Sequence, residues 1–185
     1  MIDNVPHTTS EITAPWLTDA LRSSGRLQPD ASVLEVGFDV GAAGVGFMGE
    51  VGKLELTYSD NAGDQPATMM VKFPTQSPEV KAMMRPTRVY EREHRFYREL
   101  AAHTPVRTPD AYHVICETSD DDAVDEEYLL LMEDLSDLAI GDQVAGVSPD
   151  QAEAALIGLA AHHARFWNGA GLEQADFVPD INGPL

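Results

Sequence analysis

Three groups of residues have the types and spacing to do chemistry: the glycines of GVGFMGEV (residues 44–51), Lys72 in MMVKF, and Glu93 in YEREHRFYREL. Glycine lacks the Cβ that would hold backbone N–H groups away from phosphate oxygens, a lysine ammonium neutralises phosphate charge, and a carboxylate can orient such a lysine. The glycine string alone reads as a dinucleotide-binding turn, as a phosphate loop between two antiparallel strands, or as a plain hairpin turn. A dinucleotide fold needs the string to open a helix, whereas the residues after it, KLELTYS, alternate as a strand does. A Walker-type loop fails too: GEVGKL leaves only Glu50 and Val51 between Gly49 and Gly52, and Leu54 stands where a magnesium-binding hydroxyl should be. The pattern GxGxxGxV remains, filled by Gly44, Gly46, Gly49 and Val51, with a structural hairpin turn as its competitor.

A loop of that kind requires a strand on either side. VLEVGFDV, from Val33 to Val40, is β-prone, and KLELTYS sets Leu54, Leu56 and Tyr58 on one face with Glu55 and Thr57 on the other. DNAGDQP supplies a turn, and ATMMVKF, from Ala67 to Phe73, is a third strand that ends at Pro74 and carries Lys72 between Val71 and Phe73. The result is an antiparallel meander. Ahead of it TAPWLTDALRSSG predicts an amphipathic helix, with Thr13 as N-cap, Pro15 in the first turn, Trp16, Leu17, Ala20 and Leu21 on one face, and Gly25 as the stop.

Two helices follow the meander: a short one from Ser77 with Pro78 at its first position, and a longer one from about Thr87 to Ala102, separated by Pro86. In the longer helix Val89, Glu93, Phe96, Tyr97 and Leu100 recur at helical spacing, so Glu93 falls within the apolar stripe while Glu91 and Glu99 do not. A carboxylate on a buried face needs a cationic partner, and Lys72 is the nearest candidate. AYHVICET and EYLLLME read as two more strands, with the acidic SDDDAVDEE as an exposed hairpin tip rather than a metal site. The last helix is SPDQAEAALIGLAAHHARFWNG, with Ser148, Pro149, Asp150 and Gln151 forming a capping-box signature and Asn168–Gly169 ending the run. His162 and His163 are adjacent in it and point about 100° apart, so they cannot chelate one ion; His163 is expected to pack with Leu159 and Trp167.

The 185 residues suit one domain, and 43% hydrophobic content is enough for a core. Twelve Lys and Arg against 31 Asp and Glu give a formal net charge of -19, which opposes nucleic acid and anionic membranes as partners. Cys116 is the only cysteine, so the sequence holds no intrachain disulfide and no cysteine-based metal site. The stretch MIDNVPHTTSEI has neither basic residues nor an apolar run, and the expected compartment is the cytoplasm.

The order of glycine string, MMVKF, YEREHRFYREL and EYLLLMEDLSD resembles the aminoglycoside phosphotransferase and choline-kinase-like superfamily, most closely its ecdysteroid-kinase-like branch, over essentially the whole chain. The resemblance implies an α+β fold: a protein-kinase-like amino-terminal lobe, with a five-stranded antiparallel sheet and an αC-type helix, followed by the first helix of a helical carboxy-terminal lobe. Residues 1–30 would then be a helical lead-in, 31–135 the lobe with a hinge at 132–135, and 136–185 the start of the second lobe. It further implies that Lys72 contacts the α and β phosphates of ATP, that Glu93 orients Lys72, and that backbone groups of Met132, Glu133, Asp134 and Leu135 bind adenine. The implied partners are ATP, magnesium and a small-molecule alcohol as phosphate acceptor.

Phosphoryl transfer in such folds also uses an Asp that orients the acceptor hydroxyl and carboxylate or amide ligands for magnesium. The sequence contains no HGD, HRD or DFG string, so no catalytic residue is assigned within the chain, and the catalytic loop and magnesium ligands are expected beyond Leu185. The chain therefore reads as the nucleotide-gripping part of a longer phosphotransferase, expected to be inactive alone, with the missing lobe or a second copy as its protein partner. Two other readings stay open. One is a non-catalytic module that binds nucleotide or a protein partner; the other is a plain α+β domain, which would leave Lys72 and Glu93 far apart or exposed.

Overall fold

Thr13 caps helix α1 (Ala14–Ser23), its hydroxyl accepting from the Trp16 N–H at 3.3 Å, and Gly25 at φ +70 closes the helix in the left-handed region. The computed structural model describes residues 4–46, 49–119, 126–138, 141–142 and 144–179, with residues 39–46 described by their backbone alone. Five strands follow α1 along the chain: β1 (Val33–Gly46), β2 (Gly49–Tyr58), β3 (Thr68–Pro74), β4 (Ala111–Glu117) and β5 (Glu127–Glu133). They form one antiparallel sheet in the order β1-β2-β3-β5-β4. Helices α2 (Pro78–Met84) and α3 (Val89–Arg95) lie between β3 and β4, and α4 (Pro149–Arg165) follows β5. The chain is thus α+β, a five-stranded antiparallel sheet with four helices.

Strand alternation divides the sheet into two faces. Leu54 and Leu56 of β2, Met69, Val71 and Phe73 of β3, and Leu129 and Leu131 of β5 are buried with Leu17, Ala20 and Leu21 of α1 in one core. Burying each such side chain contributes about 1.5–3 kcal/mol, so this face anchors the sheet. Thr18 fastens α1 to it, donating to the Ala14 carbonyl at 2.8 Å and accepting from the Val33 N–H at 2.9 Å. On the opposite face Val51, Lys72 and Leu130 are register partners, and so are Lys53, Met70 and Met132. Helix α3 covers the β5 side of that face, where Tyr128 contacts the rings of Tyr90 and His94.

Three expectations need revision. Strand β1 runs six residues past Val40, so Gly44 and Gly46 are strand residues paired with Val51 and Gly49; Phe47 and Met48, between the two strands, lie outside the described residues. The helix expected over about 87–102 is regular only through α3: a 3-10 turn (Arg85–Thr87) and left-handed Arg88 (φ 53) precede it, and a π-turn (Phe96–Leu100) and a second 3-10 turn follow. The extra residue in the π-turn shifts the face presented after Arg95. In α4 the capping box forms and Asn168 (φ 56) and Gly169 (φ 75) end the run, but His163 is exposed, as are Leu159 and Trp167. The inward face is the one carrying Gly158, His162 and Phe166, because α4 meets the rest of the described chain through Thr104 and Val106. His162 Nδ1 lies 2.8 Å from the Thr104 hydroxyl, and its ring lies 4.9 Å from that of Phe166. The acidic hairpin tip falls largely on residues 120–125, outside the described residues.

Candidate functional site

Strand β3 carries Lys72 on the face away from α1, and α3 brings Glu93 to it. The ammonium donates to both carboxylate oxygens, at 2.6 and 2.8 Å. Each side chain is 32% exposed, which places the pair at the rim of the buried face and not inside it. The separation expected of an incidental lysine is not found. A lysine ammonium has three donors; Glu93 takes two, and among the described residues no group takes the third. That spare donor suits a further anionic oxygen.

Of the other predicted residues, Gly44, Val51 and Met132 fall along the same face, whereas Glu133 is paired with Met69 on the α1 face and Asp134 and Leu135 lie past the end of β5. Gly44, Val51 and Lys72 form one cross-strand row, so the glycine hairpin and the lysine share a register. Gly49 has its own reason to be glycine: a Cβ there would lie 2.6 Å from the Phe73 carbonyl oxygen, so β2 and β3 approach closely where a side chain could not fit. Met132 and Glu133 are the last residues of β5, opposite Met70 and Met69. The Glu133 carboxylate accepts from Arg107 at 2.6 Å and from the Asp110 N–H at 3.1 Å. Asp134 accepts from Lys53 at 2.8 Å and from the Ser136 N–H at 2.9 Å, and the Leu135 carbonyl accepts from the Leu138 N–H at 2.9 Å. The two carboxylates of this quartet are therefore engaged within the fold.

The reading of α3 also needs correction. Glu91, expected off the buried face, is 6% exposed, more buried than Glu93. Arg88 grips it with two 2.6 Å bonds and Arg95 adds one of 3.2 Å. The Arg88 bonds hold its carboxyl below the usual range, against the burial that would raise it. The apolar stripe did not show this, although a local signal was present: Arg88 and Arg95 stand three residues before and four after Glu91, on its own face of the helix. Lys53 was also missed, although strand alternation puts it on the same face as Val51.

Among the described residues no group of three or more His, Cys, Asp or Glu side chains is placed to hold a metal ion. A cleft of about 560 Å3, lined in part by Pro74, Pro78, Ala82, Tyr90 and Tyr128, contains none of the predicted site residues. No described helix is long and apolar enough to cross a membrane. Cys116 is half-buried, and burial pushes its thiol up to about 11, which makes it a poor nucleophile.

A family model described as the ecdysteroid kinase-like family matches residues 43–167, a span that takes in the glycine hairpin, Lys72, Glu93, residues 132–135 and α4. No curated protein and no solved structure was found to match the chain.

Proposed function

The chain belongs to the ecdysteroid kinase-like family, whose kinase-like character suggests a phosphotransferase, and from that premise we propose that it grips ATP for transfer to a small-molecule alcohol. The observation that carries the reading is the Lys72–Glu93 ion pair, formed between β3 and α3 in the same register row as the glycine hairpin. In this reading Lys72 neutralises the α and β phosphates with its spare donor, and Glu93 keeps the ammonium on that face. Backbone N–H groups of the hairpin at Gly44, Gly46 and Gly49 cover the phosphates, and backbone groups of Met132 to Leu135 meet adenine. Magnesium, when bound, neutralises further phosphate charge. No HGD, HRD or DFG string occurs in the sequence, so the proposed part of this chain is the grip and not delivery to the acceptor. An ATP-supplied cytoplasm suits this role.

Calorimetric titration of Mg-ATP into the chain and into its Lys72→Ala variant tests the proposal. Wild type is expected to bind, and the variant to bind at least about tenfold more weakly, the loss of one charge-assisted contact. Equal affinity would remove Lys72 from the site, and absence of binding by the wild type would overturn the grip.

A further inference from the structure

Helix α3 is held on two flanks. Glu91 and Glu93 are two residues apart, so their side chains leave the axis about 160–200° apart, and each belongs to its own ion-pair system. On one flank Glu93 meets Lys72. On the other, Arg95 joins Glu91 at 3.2 Å and Glu99 at 2.9 Å, and extends beyond the helix to Asp176 at 2.7 Å. The Arg95 guanidinium also lies 4.4 Å from the ring centroid of Phe177, which is 3% exposed. Arg88 adds a 3.3 Å donation to the Asp176 carbonyl. The segment after α4 is therefore docked on α3 by charge-assisted and cation–π contacts together.

We propose that Asp176 and Phe177 are positioning residues: they fix the roll of α3 and, through it, the reach of Glu93 to Lys72. The consequence for nucleotide binding rests on the function proposed above. Helix α3 spans seven residues, opens at a left-handed residue with no side-chain cap, and runs into a π-turn, so it has little stiffness of its own. A pair as exposed as Lys72–Glu93 is too weak to hold a helix by itself. Arg95, seated on Phe177 and bonded to three carboxylates, resists rotation from the opposite flank. Without it only the packing of Tyr90 and His94 on Tyr128 opposes a roll of the helix, and such a roll takes the Glu93 carboxylate off the ammonium.

Pulsed acetylation of the ligand-free chain by an N-hydroxysuccinimidyl acetate, read by peptide mass spectrometry with exposed Lys81 as internal reference, reports how strongly Lys72 is held. Glu93→Gln sets the response of a released Lys72. Phe177→Ala and Asp176→Asn are expected to raise the Lys72 to Lys81 ratio severalfold towards that level, and Phe177→Tyr to leave it unchanged. In the Glu93→Gln background, Phe177→Ala should add nothing. A further rise there would show general loosening and overturn the proposal, as would wild-type ratios in both Phe177→Ala and Asp176→Asn. Asp176 has a largely exposed side chain, so its variant gives a result even if Phe177→Ala fails to fold. Because the readout uses no nucleotide, failure of the clamp is distinguishable from failure of the ATP reading, which Lys72→Ala decides.

Discussion

The ammonium of Lys53 lies 2.8 Å from Oδ2 of Asp134, an ion pair that crosses over β3 and ties β2 to the residues after β5. Lys53, Met70 and Met132 are register partners, and Asp134 stands two residues past Met132, so the long lysine stem spans the middle strand. The Asp134 side chain is 7% exposed. Burial alone would raise its carboxyl, but hydrogen bonds from Lys53, Ser136 and Thr68 outweigh burial and hold it well below the usual range. Asp134→Ala is expected to cost about 1–3 kcal/mol in urea unfolding, since it strands these donors. The double variant Lys53→Met/Asp134→Ala should cost less than the sum of the single changes; strict additivity would show that the pair does not interact. The folded carboxyl titrates below the unfolded one, so this stabilisation is present above about pH 4 and is lost as pH falls further.

Gly49 makes a second, independent test of the hairpin. Its Cβ would meet a backbone oxygen, which cannot swing aside as a side chain can. Gly49→Ala should therefore push β2 from β3 and cost about 1–3 kcal/mol, as overpacking does. Thermal unfolding checks it: a Tm equal to wild type would mean that the strands part without cost, and that close approach is not why glycine stands there.

What the sequence revealed and what it hid divide along a physical line. Strand alternation placed Leu54, Leu56 and Lys72, and cap chemistry placed Thr13, Ser77 and Ser148, because these signals are complete within a few residues. The Lys72–Glu93 pair was legible because charge on a half-buried helix face demands a partner and few cations were within reach. Glu91 was misread because only apolar residues were counted towards the buried face, whereas Arg88 and Arg95, at i−3 and i+4, pair with its carboxylate there. His163 was misread because the inward face of α4 is decided by distant residues: Thr104 and Val106 meet the side carrying His162 and Gly158, away from exposed Leu159 and Trp167.

Stability should fall with mild acid through His94. Its ring is 1% exposed, Nδ1 donates to the Tyr90 carbonyl at 2.7 Å, and Nε2 is buried without a partner among the described residues. Burial lowers its affinity for a second proton; the Tyr90 carbonyl and Glu93 oppose that shift, while Lys72 and Arg98 reinforce it. The folded chain therefore binds fewer protons than the unfolded chain just below the ordinary histidine value, and stability drops as pH falls below about 6.5. Burial lowers His113 as well, with the same sign. The urea midpoint is expected to decrease between about pH 7.5 and 5.5, and His94→Phe, which keeps a ring against Tyr128, should flatten that decrease. An unchanged slope in the variant would move the effect to His113 or elsewhere.

The Lys72–Glu93 pair allows structural and ligand-binding roles to be separated by exchanging its charges. At 32% exposure on both sides the pair belongs with surface ion pairs, which contribute about 0–1 kcal/mol, so Glu93→Gln should leave the unfolding free energy within that margin of wild type. The exchanged variant Lys72→Glu/Glu93→Lys retains an opposite-charge pair between β3 and α3 and should be equally stable. It moves the ammonium from the strand beside the glycine hairpin to the helix, however, and puts a carboxylate where phosphate oxygens are proposed to lie. Mg-ATP affinity in the exchanged variant is expected to fall at least about tenfold, while Glu93→Gln, which leaves the ammonium on β3, should lose less. Denaturation and calorimetry on the same preparations give both numbers. If the exchanged chain is stable and binds Mg-ATP as wild type does, the pair is a structural clasp and the position of Lys72 on β3 has no part in holding the nucleotide.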